Sequence, residues 1–241
     1  MTDHTSTTVD DLQLFDLQPS FAWEADWYVK RVNRESAERW FGDYHYSGTA
    51  GTAGGKTFGV YAGDCVAMVA LGPTANKDGV AAKFGLQQWN GNVEIVRVAV
   101  HPDSPKNTAS KSVAMVCDHV RRYWLLDWVF SYADTGQNHH GGIYQALNAV
   151  YVGVSPPERG YLVDGYLMHP RTVVSTFGTR AWPKVRELAE RRGSSIQQVE
   201  DANTAKHTYV LPIGPPAVRR QIRQALKPYS MSYPKRMGVA T

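Results

Sequence analysis

The chain has 241 residues, 43% of them apolar, 11% aromatic and 20% charged, which is enough for a full core in one large domain or two small ones and excludes a disordered or fibrous polymer. Two cysteines, Cys65 and Cys117, without C-x-x-C spacing exclude a disulfide scaffold and a cysteine-built zinc site; no apolar run approaches the roughly eighteen residues of a membrane span, and the acidic, polar beginning is no secretory signal. The formal net charge of +4 is unevenly spread, since residues 1–29 carry six acidic side chains and no Lys or Arg, whereas residues 205–241 carry seven cations and no Asp or Glu.

Residues 1–12 read as a loose Thr- and Asp-rich leader, and residues 13–241 as one catalytic domain. Apolar residues at helical offsets predict a helix from Trp27 to Phe41, running into a glycine-rich loop up to Gly55. Phe58 to Tyr61 and Cys65 to Leu71 predict a hairpin about Ala62-Gly63-Asp64, and Val93 to Val100 is the clearest strand. A helix follows over Thr108 to Leu126, with Asn107 or Thr108 as its cap, then a buried strand from Trp128 to Ala133. Gly142 to Ala149 predicts a short helix, Val150 to Val154 a strand, and residues 161–176 further β structure. An amphipathic helix from Trp182 to Arg192 and a second helical patch to Glu200 form a helical insertion over residues 180–204, before a last strand from Thr208 to Ile213. The alternation predicts a three-layer α/β or α+β domain.

Ala50 to Thr57 fits a permissive phosphate-loop pattern, but a helix precedes it and a β run follows, the reverse of what that motif needs. Leu188 to Glu200 matches half of a helix-turn-helix, as does any helical pair with a glycine turn. Two segments concentrate chemistry. Asp134, His139 and His140 follow a buried strand directly, the place where α/β proteins put their sites, and His45-Tyr46-Ser47 opens a glycine loop. An adjacent His and Tyr offer a base, a phenolic donor or two metal ligands. Glu94 and Arg97, three apart on one strand, are expected on opposite faces. Residues 205–241 form a basic segment whose His207, Tyr209, Tyr229 and Tyr233 lie among the cations Lys206, Arg219, Arg220, Arg223, Lys235 and Arg236, a composition suited to a polyanion.

Tyr132 to Asn148, with the pattern Tyr-Ala-Asp-x-x-Gln-x-His-x-Gly-x-x-Tyr-x-Ala-x-Asn, resembles the signature of the Mom family of bacteriophage DNA adenine-modification proteins. His45-Tyr46-Ser47-Gly48 is similar to that family's early His-Tyr element; Lys206 to Val210 and Tyr233-Pro234-Lys235-Arg236 are similar to its closing elements, in the same order.

The resemblance implies a Gcn5-related acyltransferase-like fold, with Val93 to Val100 as a central strand splayed from Trp128 to Ala133. It implies a transferase that places a carbamoylmethyl group on adenine N6 of double-stranded DNA, protecting phage DNA from restriction in the host cytoplasm. Under it, His45, Tyr46, Asp134, His139 and Tyr144 are the catalytic candidates, with Glu94 in support. Arg97, Lys106, Asn107 and Ser110 would hold the donor, acetyl-coenzyme A or another two-carbon carrier, although His101 to Ser110 contains no glycine. Lys206, His207, Arg219, Arg220, Arg223, Lys235 and Arg236 would meet DNA, and His45, Tyr46 and Asp134 could bind ferrous iron. A monomer and a homodimer fit equally. The alternatives are an acyl-coenzyme A-dependent N-acyltransferase of small amines and a non-catalytic DNA-binding module.

Overall fold

The computed structural model describes residues 26–49, 55–73, 79–168, 170–179, 181–203 and 205–235. The leader, Arg236 and most of the glycine-rich stretch, residues 50–54, lie outside the described residues.

The chain opens with β1 (Tyr28–Val32) and α1 (Arg34–Tyr44). The single helix expected over residues 27–41 is thus a strand followed by a helix. Tyr28–Val32 finds a partner in the next strand, and Asn33 starts the helix by accepting the Ser36 N–H at 2.8 Å. The hairpin forms as expected, from β2 (Lys56–Ala62) and β3 (Asp64–Pro73), and is followed by a short α2 (Gly79–Lys83). Next come β4 (Val93–Val100), α3 (Thr108–Tyr123), β5 (Trp128–Asp134), a 3-10 turn (Thr135–Gln137), α4 (Gly142–Ala146) and β6 (Val150–Ser155). Of the two capping candidates, Asn107 occupies the cap position with φ 69°, but its side chain accepts no helix N–H, and Thr108 turns its hydroxyl to the Pro105 carbonyl.

Residues 158–203 form a smaller unit of β7 (Glu158–Val163), β8 (Tyr166–Met168), α5 (Pro170–Phe177), α6 (Trp182–Arg191) and β9 (Ile196–Asn203). The β structure expected over 161–176 therefore gives way to helix at Pro170, and the helical patch expected to Glu200 is a strand. Ile196 pairs with Val163, which overrides local helical spacing and removes the helix-turn-helix match. The strands make a separate sheet in the order β8-β7-β9, packed on α5 and α6 through Tyr161, Val173, Phe177, Val185 and Ala189. The chain then returns through β10 (Lys206–Pro212) to α7 (Pro216–Leu226), a helix beginning on a proline and burying Ile222 and Leu226.

The main sheet has seven strands in the order β1-β2-β3-β4-β5-β10-β6. Every neighbouring pair is antiparallel except β4 and β5, which run parallel and pair only at Val93 with Val129, Glu94 with Phe130 and Ile95 with Ser131. Past Ile95 the two strands part, the splay that the resemblance implied. On one face, α3 contributes Val113, Val116, Cys117 and Val120 to a core with Val69, Leu71, Ile95, Val129 and Tyr209. On the other, α1 packs on Met68, Ala70 and Ala99, while α2 and α7 pack on Trp128, Phe130 and Val210. The result is the three-layer α/β architecture expected of a Gcn5-related acyltransferase-like chain. Cys65 and Cys117 are both buried free thiols, each pushed up to about 12 by burial.

Candidate active site at the splay of β4 and β5

The opening between the two parallel strands collects side chains from three distant stretches. The register of β3 with β4 slips between Ala70 and Leu71, because Ala70 pairs with Arg97 but Leu71 pairs with Ile95, leaving Val96 as an extra residue. Glu94 pairs with Gly72, two residues from Ala70, so Glu94 and Arg97 share a face. This corrects the alternation expected of a regular strand: one bulged residue restores both charges to the α1 side. Asp134, two residues beyond Tyr132 and four beyond Phe130, lies on that same face.

The end of α1 supplies the second stretch. His45 leaves the helix in an extended conformation while its N–H still bonds the Phe41 carbonyl, and the Gly48 N–H donates to the His45 carbonyl at 2.8 Å. This tight turn brings Ser47 back onto the imidazole. The Ser47 N–H donates to His45 Nδ1 at 3.1 Å, and Ser47 Oγ lies 2.8 Å from the same nitrogen. Arg97 Nε, from β4, donates to Ser47 Oγ at 2.7 Å. Burial first, then the Arg97 cation and His139, bring the His45 pKa down to about 4, so the ring is neutral around pH 7.

Tyr46 stacks on His45 with ring centroids 4.4 Å apart and meets His139 edge-on at 5.6 Å, while remaining 60% exposed. Its phenol is raised by burial and by the Asp134 charge, against a smaller opposing effect of Arg97, and stays protonated. Asp134 ends β5 and caps the 3-10 turn, its Oδ1 accepting the Gly136 N–H at 2.9 Å, while its carbonyl accepts the His139 N–H at 3.0 Å. His45, Tyr46, Arg97, Asp134 and His139 thus form one group.

Tyr144 approaches from the opposite face. It is buried among the α3-side core residues, its hydroxyl 2.6 Å from Ser131 Oγ, which also donates to the Ile95 carbonyl at 2.8 Å. Burial drives its phenol up to about 12. Behind it stands a layer made by Tyr209, expected from the sequence only within the basic segment, and Gln145, which sequence reasoning did not single out. The Tyr209 hydroxyl donates to the His140 carbonyl at 2.5 Å, and Gln145 Nε2 donates to that carbonyl, to Tyr209 and to the Pro234 carbonyl at 2.8, 3.1 and 3.2 Å. Both residues sit inside the quoted motifs, and that was the available signal.

Lys106, Asn107 and Ser110 cluster at the start of α3, with Ser110 Oγ donating to the Asn107 carbonyl at 3.0 Å and Lys106 exposed. Asn107 makes no side-chain cap bond and takes the left-handed conformation for which glycine is usual. Arg97, expected with this set, instead bonds Ser47.

Iron fits poorly. His45 Nδ1 is occupied by Ser47, Asp134 Oδ1 by Gly136, and Tyr46 is a protonated phenol. Among the described residues, no group of three or more His, Cys, Asp or Glu side chains is placed to hold a metal ion.

The basic residues divide by face. Lys206 pairs with Asp134 in register and so lies on its face, whereas His207 lies opposite, its Nδ1 2.9 Å from the Tyr151 hydroxyl. Burial and then His140 lower the His207 pKa. Arg219, Arg220 and Arg223 are exposed on α7, which covers the site's own face of the sheet; Arg223 also donates to the Asn148 carbonyl at 2.8 Å. Lys235 follows Pro234 at the end of a segment whose Tyr233 hydroxyl donates to the Ala149 carbonyl at 2.7 Å. Among the described residues, no helix is long and apolar enough to cross a membrane.

The model of the Mom protein family matches residues 26–235. A curated relative, the "Methylcarbamoylase mom" of Escherichia phage Mu, is 30% identical over 118 residues, and the match spans 48% of this chain and 48% of that protein. Among solved structures, similarity extends to a Bacillus subtilis acetyltransferase in complex with CoA (TM-score 0.43, 10% identity, 78% of this chain and 99% of that chain). It extends also to the ribosomal-protein-S18-alanine N-acetyltransferase of Escherichia coli (TM-score 0.44, 8% identity, 79% of this chain and 96% of that chain).

Proposed function

The chain belongs to the Mom protein family, and from that premise we propose that it is a transferase that modifies phage DNA by placing a carbamoylmethyl group on adenine N6, protecting the DNA from restriction. The observation that carries this reading is the meeting of His45-Tyr46-Ser47 with Asp134 and His139 where β4 and β5 part, although about ninety residues separate the two segments. The name of the phage Mu relative, a methylcarbamoylase, supports a group-transfer reading.

The adenine amine is a weak nucleophile because its lone pair is delocalised into the ring, so the reaction needs a base, a held electrophile and little water. Asp134 is the base in this scheme. Its Oδ1 accepts the Gly136 N–H at 2.9 Å, which holds the carboxylate at the end of β5. N6 forms the new bond to the methylene carbon of the donor, the donor's leaving group departs with the electrons of the broken bond, and the N6 proton passes to Asp134. The exposed face of Tyr46 offers a stacking surface to an adenine turned out of the duplex, which a base inside the stack could not reach.

A donor that carries a phosphate group and has its leaving group on the methylene carbon of the two-carbon amide would be held by Lys106, Asn107 and Ser110 at the start of α3. Lys206, Arg219, Arg220 and Arg223, on the face that carries Asp134, would meet the phosphate backbone, as would Lys235 from its edge. His207 is proposed to steady the Tyr151 side of β10 and not to touch DNA.

The test is to express the chain in bacteria, extract their DNA and digest it with restriction nucleases whose sites contain adenine. Resistance is expected from cells carrying the chain and sensitivity from cells carrying Asp134→Asn, a variant that keeps an oxygen for the Gly136 N–H. Equal sensitivity in both, with soluble protein present, contradicts the proposal.

A further inference from the structure

His45 looks at first like a second base, yet its surroundings leave one of its ring nitrogens no choice. A backbone N–H cannot accept, so His45 Nδ1 must be the acceptor of the bond from Ser47 N. The guanidinium of Arg97 has donors alone, so Ser47 Oγ is the acceptor of the bond from Arg97 Nε, and the single hydroxyl proton of Ser47 points on to Nδ1 at 2.8 Å. Two donors from one residue therefore converge on Nδ1, which holds no proton. In a neutral imidazole the proton then sits on Nε2.

We propose that Ser47 is a positioning residue that links Arg97 to His45 and fixes the imidazole as an Nε2–H donor, which offers a hydrogen bond to an acceptor atom of the bound substrate and does not take the amine proton. What the imidazole faces rests on the adenine-modifying reading above; its tautomer does not. The surrounding charges agree with a neutral ring. Arg97 from β4 faces it, His139 from the stretch after β5 lies nearby, and the Asp134 charge is felt by Tyr46, which covers one side of the imidazole. Proton acceptance thereby falls to Asp134, and the two motifs that meet at the splay divide the work into a donor side and an acceptor side. Ser47 has a second link in the chain of contacts: the Gly48 turn that brings its N–H onto Nδ1 also encloses Tyr46, just past the end of α1.

The full chain labelled with nitrogen-15 in its histidines tests this without DNA, since the two ring nitrogens of a neutral imidazole give separate signals according to which carries the proton. His45 is expected to carry its proton on Nε2 at neutral pH. Ser47→Ala, which keeps the backbone N–H on Nδ1 but loses the hydroxyl, should shift the Nδ1 signal and lower kcat by up to about tenfold, the worth of one hydrogen bond, with KM for DNA nearly unchanged. Ser47→Thr, which keeps the hydroxyl, should restore both. A proton on Nδ1 in the unaltered chain overturns the assignment, and so does a Ser47→Ala chain whose Nδ1 signal or kcat is unchanged. If the DNA of expressing cells proves unmodified, the nitrogen signals still decide the tautomer, so the two readings fail separately.

Discussion

At the scale of single residues, the site works by setting neighbouring side chains to opposite tasks. Tyr46 and Tyr144 are held protonated, the first by burial and the Asp134 charge, the second by burial first and the Glu94 charge after it, so neither is a base at neutral pH. His45 is held neutral with its pKa near 4, which ties it to stability as well as chemistry. In the unfolded chain the ring takes up a proton near its ordinary value of 6.5, while the folded ring does not until about pH 4. The unfolded state therefore binds more protons between those values, and the contribution of His45 to stability is full above pH 6.5 and drains away as the pH falls toward 4. Solvent reaches part of the ring, so the effect is discounted to about 1–2 kcal/mol. Urea unfolding at pH 7 and pH 5 checks this. The midpoint should fall on acidification in the unaltered chain and fall less in His45→Asn, whose side-chain oxygen replaces Nδ1 as acceptor; equal falls in both would contradict it.

At the scale of elements, the decisive events are a bulge, a turn and a tight approach. The bulge at Val96 turns Glu94 and Arg97 to one face, and nothing in the residue pattern Val-Glu-Ile-Val-Arg-Val-Ala-Val announces it, because a bulge is chosen by the partner strand. The same limit explains β1, which a helical spacing concealed, and β9, whose pairing with β7 outweighed its local preference. By contrast, β4, α3 and β5 were legible, since each is a long run whose periodicity agrees with its burial. The Tyr132 to Asn148 motif was legible as a cluster but not as two faces: Asp134 lies above the sheet with α1, and Tyr144 below it with α3. Gly141 shows what holds that lower face. It has φ 78°, and a Cβ there would stand 2.2 Å from the Tyr209 ring, a buried side chain with no room to retreat. Gly141→Ala should lower stability by roughly 2–4 kcal/mol, from the left-handed backbone and the displaced ring together, and thermal melting would show it as a clear drop in Tm. An unchanged Tm would mean that the packing of α4 on β10 is looser than described.

At the scale of the whole molecule, the uneven charge takes on a direction. The acidic first residues lie largely outside the described structure, while α7 lays Arg219, Arg220 and Arg223 along the face of the sheet that carries Arg97 and Asp134. These cations share that face of the sheet, which a net charge of +4 could not have disclosed. The smaller unit of residues 158–203 has its own sheet and core, inserted between β6 and β10, so the last strand of the main sheet is made only after the chain has completed it. The candidate residues themselves were all present in the sequence; their grouping was not, because it depends on the parallel pair β4 and β5 parting after three residue pairs. The central claim is that this opening performs chemistry on adenine. It is met most directly by digesting the DNA of cells that express the chain to nucleosides and weighing them. A deoxyadenosine heavier by one carbamoylmethyl group, present with the unaltered chain and absent with Asp134→Asn, is the predicted result, and an adenine pool of ordinary mass alongside soluble, folded protein would contradict it.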